Sequence, residues 1–225
     1  MKRYLPFIII AAVLAAVALI VLLAGGSSTP TSNTNQNLLN IPYRTPTGAE
    51  PPHAHGSPNA PIILEEFGDF QCPPCRLLHP VLKQIEADYD GRVRVIFRQF
   101  PLSDMHANAL QAARAAEAAA MQDRFWEMHN QLYEKQDEWK AAPNARAMFI
   151  DYARSLGMDR DKFTRDMDGE AVYNRIIADG QRAHALGVNG TPTVFLNNRE
   201  LQYDDIRVSS RLRSVIDAAL RQKGL

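Results

Sequence analysis

The chain has 225 residues, enough for one good-sized domain or one domain carrying a large insertion. Apolar residues make up 46% and charged residues 22%, the values of a globular protein. Lys and Arg together number 25 and so do Asp and Glu, so the balance gives no sign of a nucleic-acid or acidic-substrate partner.

Behind Met1-Lys2-Arg3 runs "FIIIAAVLAAVALIVLLA", Phe7 to Ala24, without a charge. As a helix it would span about 27 Å, close to the ~30 Å hydrocarbon core of a bilayer. Lys2 and Arg3 on its short flank place the N-terminus in the cytoplasm and the rest outside. A cleaved signal peptide has a shorter apolar stretch and an A-x-A-like site, and "AGG" at Ala24 to Gly26 is only a fair one. A transmembrane anchor over residues 1–24 is therefore expected, in the cell membrane with the remaining domain extracytoplasmic; cleavage would leave that domain secreted or periplasmic. No cysteine follows the run, which sets aside lipoprotein attachment.

Residues 25–54 read as a linker. "GGSSTPTSNTNQNLLN" has little to bury, and prolines at 42, 46, 51 and 52 keep the next stretch extended. The folded domain is expected over residues 55–222. His53 and His55 in "HAH" have ligand chemistry, but their place in this linker argues against a metal, and none is expected.

"PIILEEF" (Pro61 to Phe67) reads as a largely buried strand. After the two cysteines comes a helix with an apolar stripe of Leu77, Leu78, Val81, Leu82 and Ile85, stopped at Gly91. "RVRVIFRQF" (Arg92 to Phe100) is a second strand, so the segment is a βαβ unit with a parallel pair. From about residue 103 to 187 the pattern is helical. It includes the Ala-rich "MHANALQAARAAEAAAMQ" and a helix with Phe125, Met128, Leu132 and Tyr133 on one face. An Asn-capped helix stops at Gly157, and another stops at Gly187. "TPTVFLNNRELQ" reads as two short strands around Asn197-Asn198, and "SSRLRSVIDAALRQKG" as a closing amphipathic helix. The order βαβ, helices, ββα makes an α/β sheet with an inserted helical subdomain.

Cys72 and Cys75, in "DFQCPPCR", are the two cysteines of the chain. Zinc needs four ligands and this motif supplies two, with no second pair and no tightly spaced histidines; His79, one turn on, reads as a packed helical residue. A structural bridge closing so small a ring would remove about 2 kcal/mol of unfolded-state entropy before strain, and strain makes such a bond reducible. Redox chemistry remains. Cys72 falls at the start of a helix, where unpaired amides and the dipole stabilise a thiolate, and Pro73 suits the first helical position. Cys75, one turn further in, is expected to be the more buried, resolving thiol.

"EEFGDFQCPPC" together with "NGTPTVFLN" resembles the DsbA-like branch of the thioredoxin superfamily. The inserted helices, Pro80 inside the active-site helix, "FRQFPL" and "FWEMHNQL" also look like segments of its membrane-anchored or secreted bacterial members. The resemblance covers residues 55 to 222. It implies a thioredoxin fold, protein thiol–disulfide exchange and no cofactor. It also implies that Pro192 is the cis-proline facing the cysteines, with Thr191 before it pairing with a bound substrate strand beside Pro73 and Pro74. Glu66 matches the buried acid that relays a proton for the resolving cysteine, its neighbour Glu65 being read as the exposed one. Trp126, Met128 and His129 are read as packing residues. The strongest oxidants of the family carry histidine where Pro74 stands; proline supplies no such donor, so a milder depression of the Cys72 pKa is expected. The implied function is a monomeric dithiol oxidase acting on reduced or misoxidised exported proteins, with a membrane quinone-linked thiol oxidase as redox partner. A reductase or isomerase is the alternative within this chemistry, and a tethered peptide-binding module the alternative outside it.

Overall fold

The computed structural model describes residues 45–225. The expected anchor over residues 1–24 and the first part of the expected linker, residues 25–44, lie outside the described residues. Among the described residues no helix is long and apolar enough to cross a membrane.

A five-stranded mixed sheet forms the centre, in the order β1-β3-β2-β4-β5. Strands β2 (Ile62–Gly68) and β3 (Val93–Gln99) are parallel, and the helix α1 (Pro73–Asp88) that connects them makes the βαβ unit. The hairpin of β4 (Thr193–Leu196) and β5 (Arg199–Glu200) turns at Asn197 and Asn198, both at positive φ, a conformation asparagine tolerates well. Strand β4 runs antiparallel beside β2, pairing Val194 with Glu66.

Alternation along β2 divides the core. On one face Ile62 and Leu64 meet Leu78, Leu82 and Ile85 of α1, together with Leu212, Ile216 and Leu220 of the closing helix α9 (Ser209–Gln222). On the other, Phe67 and Phe195 pack against Ala183 of α7 (Glu170–Ala185). Between α9 and β5 lies the short α8 (Tyr203–Ile206). The stripe read for α1 is wrong at Leu77, which is 62% exposed: it sits one turn from the helix start, on the side the sheet does not cover.

The remaining helices lie between β3 and β4: α2 (Ala109–Ala120), α3 (Phe125–Glu134), α4 (Gln136–Trp139), α5 (Ala145–Ser155) and α6 (Arg160–Met167), followed by α7. Alanine in α2 serves more than helix propensity. Ala112, Ala113, Ala115, Ala116, Ala118 and Ala119 are all buried, so α2 is the axis on which its neighbours pack closely. The Asn144 side chain caps α5 by accepting from the Ala147 amide.

The linker expectation fails over residues 45–54. Strand β1 (His53–His55) pairs antiparallel with β3, and Ala49 is buried. Proline removes a backbone donor but leaves the carbonyls as acceptors, and three arginines use them. Arg98 donates to the carbonyls of Thr47 and Ala49, Arg182 to that of Pro46, and Arg175 to those of Glu50 and Pro51. At Gly48, φ is +86°, and a Cβ there would stand 2.7 Å from the Arg98 guanidinium. His53 completes the attachment: its Nε2 lies 2.8 Å from Glu117 Oε2, and its ring stacks on Phe125 at 3.5 Å between centroids.

Candidate active site

Cys72 is the N-cap of α1, with Pro73 and Pro74 in the first turn. Neither proline has an amide hydrogen, so the first backbone donor of the helix is that of Cys75. Both thiols are free and buried, Cys75 completely and Cys72 to within 4% of its surface. Pro73 is exposed and Pro74 half-buried, which leaves the motif with an apolar outer rim. The Thr191–Pro192 peptide is cis, and Cys72 Sγ lies 3.3 Å from the Thr191 carbonyl oxygen, to which the thiol donates. The structure thus brings Cys72, Cys75, Thr191 and Pro192 together across the α1 start and the turn before β4.

The turn that presents Cys72 is held from several sides. Asp69 is buried and accepts from the Gln71 amide at 2.7 Å, from the Leu102 amide at 2.9 Å and from His106 Nδ1 at 2.7 Å. Gln71 donates to the Lys140 carbonyl and accepts from the Asn108 amide. Gln136 of α4 donates to the carbonyls of Phe70 at 2.7 Å and Cys72 at 3.0 Å. The helical subdomain therefore fixes the backbone on which the reactive sulfur sits. Sequence reasoning missed these residues. Asp69 and Gln71 stand inside the cysteine motif, and polar types at two fixed steps before Cys72 were a usable signal. Gln136 carries no local sign of its role.

Two proton affinities diverge at the motif. Hydrogen bonding from the Cys75 thiol, and less strongly from the Thr191 side chain and the Cys75 amide, brings Cys72 down to about 6 against burial and the Asp69 carboxylate. Burial drives Cys75 in the opposite direction, well above an ordinary thiol, and the nearby Cys72 and Glu66 add to it. A thiolate at Cys72 beside a protonated Cys75 is an attacking sulfur with a reserve nucleophile behind it.

Glu66 is 2% exposed, and burial, with the charges of Cys72 and Glu86, pushes it up to about 8. Such a carboxyl can accept or release a proton near neutrality. Glu65 corrects the reading made of it. It is buried and bound by Arg98 Nε at 2.8 Å and by Arg182 through two nitrogens at 2.8 and 2.7 Å. Charged partners from distant elements, invisible in the local pattern, draw it inward. His79 packs under the helix with its Nε2 2.8 Å from Asn130 Oδ1, and Met128 and His129 are buried in the subdomain. Among the described residues no group of histidines, cysteines and carboxylates has the arrangement of a metal site.

The family description "Thioredoxin" matches residues 48–218. In sequence, the chain is 36% identical over 156 residues to a protein of Mycolicibacterium gilvum named Na(+)/H(+) antiporter NhaA 1, and 38% identical over 159 residues to Na(+)/H(+) antiporter NhaA 3 of Salinispora tropica. These matches cover 68% and 71% of this chain and 24% of each antiporter, so the chain spans about a quarter of the length of these curated relatives. Among solved structures, the oxidised BdbD of Bacillus subtilis superposes with a TM-score of 0.67 at 22% identity, covering 76% of this chain and 93% of that one. A thioredoxin-like oxidoreductase of Silicibacter pomeroyi gives 0.63 at 27% identity, covering 75% and 91%. The α-DsbA1 of Wolbachia pipientis gives 0.65 at 21% identity, covering 77% and 92%. The family match over residues 48–218 and these superpositions agree: the chain belongs to the thioredoxin family and has the fold of the DsbA-like proteins it superposes on.

Proposed function

We propose that the protein is a dithiol oxidase that introduces disulfides into exported proteins through Cys72 and Cys75. The observation that carries the proposal is the opposed proton affinity of the two thiols, Cys72 at about 6 and Cys75 far above it. A stabilised Cys72 thiolate favours the dithiol form, which makes the disulfide form oxidising, and it makes Cys72 a good leaving group.

In the oxidised enzyme a substrate thiolate attacks Cys72 Sγ, the Cys72–Cys75 bond breaks, and Cys75 leaves with the electron pair and takes a proton from Glu66. The substrate's second thiolate attacks its own sulfur in the mixed disulfide and expels Cys72 as thiolate. Reoxidation reverses these roles: Cys72 attacks the partner's disulfide, and Cys75, giving its proton to Glu66, displaces the partner. Thr191 offers backbone hydrogen bonds to the substrate strand, Pro192 faces the sulfurs, and Pro73 and Pro74 form the apolar rim on which substrate rests.

The enzyme acts as a monomer held at the cell membrane by residues 1–24, with its catalytic domain outside, and a membrane quinone-linked thiol oxidase regenerates it. The apolar run behind Lys2 and Arg3 supports this placement. So does the presence of a matching stretch in proteins named sodium–proton antiporters, whose named activity belongs to a membrane. Antiport itself is not proposed for this chain.

The reduction potential of the pair, equilibrated against glutathione, tests the direction. With Pro74 in place of a charged or donating residue, a value between about −270 and about −120 mV is expected, the range from thioredoxin to DsbA. A value at or below the thioredoxin end would overturn the oxidase reading in favour of a reductase. The double variant Cys72→Ser/Cys75→Ser separates catalysis from peptide holding, since a holding module would keep its function without either thiol.

A further inference from the structure

Behind the cysteines, between β2, α1 and α3, lies a small cavity of about 30 Å³, lined among others by Glu66, His79, Glu86, Trp126, His129 and Asn130. That volume suits one water, which needs at least two polar partners to stay there. The lining supplies them. Glu66 Oε1 and His129 Nε2 are both buried and have no hydrogen-bond partner within the described residues. Partnerless buried polar atoms are uncommon, and two on the wall of one cavity are not explained by packing.

The state of His129 follows from its surroundings. Asn130 Oδ1 lies 2.8 Å from His79 Nε2 and 3.4 Å from His129 Nδ1. An amide oxygen only accepts, so both rings donate to it, and His129 presents Nε2 as a lone pair. Burial holds the His129 pKa well below the ordinary histidine value, with His79 adding to the effect, so the ring is neutral. Other titratable groups facing this region are Cys72, Cys75 and Tyr133 on the thiol side, and Lys83, Glu86 and Glu134 toward solvent. Glu86 is partly exposed and its Oε1 lies 3.1 Å from Nδ1 of the exposed His55.

We propose that this cavity is a hydrated proton-exchange site for Glu66, in which one water bridges Glu66 Oε1 and His129 Nε2, and that His129 and Glu86 are positioning residues that set when Glu66 holds a proton. The inference rests on the reading of Glu66 as proton acceptor for Cys75. When Cys75–SH gives its proton to the Glu66 carboxylate, a Cys75 thiolate and a Glu66 carboxylic acid form; the proton then passes from Glu66 to the water and on to solvent. The water suits both states, donating to the carboxylate and accepting from the acid, while its other hydrogen stays on His129. Glu86 acts from the mouth by charge alone, its carboxylate opposing a second negative charge on Glu66.

The test loads Cys72 as a mixed disulfide with glutathione and follows its release by Cys75 against pH. The carboxylic C=O stretch reads Glu66 ionisation directly. In the intact protein both should turn over together, above the ordinary carboxylate range and below about 8, since the mixed disulfide removes the Cys72 charge that helps raise Glu66. Glu86→Gln should move both midpoints down by about one unit. His129→Leu should move both up by about as much, and His129→Gln, which restores an acceptor, should bring them back. If His129→Leu does not fold, Glu86→Gln at the partly exposed mouth still decides. Midpoints unmoved by Glu86→Gln and His129→Leu, with release slowed in Glu66→Gln, would overturn the inference and leave the relay standing. Release unaffected by Glu66→Gln would remove the relay itself.

Discussion

Glu65 and Glu66 are adjacent on β2 and face opposite sides of the sheet, and their fates differ. Glu65 meets Arg98 and Arg182, and these pairings overcome its burial to hold its pKa below the ordinary carboxylate value. Glu66 meets aliphatic side chains, two thiols and a small cavity, and is pushed up to about 8. Both are buried, so burial alone decides nothing. A carboxylate supplied with cations becomes a fixed structural charge, and one deprived of them becomes a proton carrier. The α7 face of the sheet carries fixed ion pairs, and the α1 face carries a carboxyl whose proton affinity burial has raised.

Variants on the two faces should therefore fail in different ways. The largest effect is expected at the sulfur: Cys72→Ser should reduce disulfide transfer to background in an oxidative-refolding assay while thermal unfolding, measured below pH 6, stays near that of the reduced parent. Any surviving turnover would move the chemistry away from this pair. On the α7 face, Arg98→Ala leaves buried Asp179 without its cation, takes one of two arginines from Glu65 and frees two backbone carbonyls, so a loss of about 3–5 kcal/mol in denaturant unfolding is expected. The pH profile of Cys75 resolution should not change in that variant. On the α1 face, Glu66→Gln should slow resolution by about 10²-fold in stopped-flow measurements and abolish its dependence on pH near 8, with stability kept or raised. A similar stability loss in both variants would erase the contrast. Gln136→Leu, which removes two hydrogen bonds to the turn before α1, should cost about 1–3 kcal/mol.

The smallest effect is a pH dependence. The Cys72 pKa is depressed in the folded dithiol, so its thiolate stabilises that form above the unfolded thiol pKa. The contribution shrinks as pH falls toward about 6 and is gone below it. Reduced-state stability, measured relative to the disulfide form, should decline over that window. A flat profile would return Cys72 to an ordinary thiol.

Much of this was legible in the residues. The apolar run of "PIILEEF", the strand "RVRVIFRQF", the helix between them, and the asparagine turn before the last helix all act locally, and local rules found them. The two thiols and the residues before β4 were found because a spaced motif and a family likeness point at them. What escaped depends on partners far along the chain. Glu65 reads as a solvent-facing strand residue until Arg182, 117 positions away, arrives beside it. Residues 45–54 read as linker because proline signals extension and says nothing of who uses its carbonyl. Gln136 looks like any helical glutamine, and its aim at Cys72 exists only in three dimensions.

The attachment of residues 45–55 has a mechanical consequence. Any pull arriving along the chain at Thr45 meets arginine–carbonyl bonds from β3 and α7 before it reaches β1, and these resist together rather than one after another. Strain would be shared between the sheet and the helical subdomain, since Arg98 belongs to one and Arg175 grips Glu117 of the other. A domain mounted this way takes up a load at Thr45 as one body, with no single bond whose loss frees the segment.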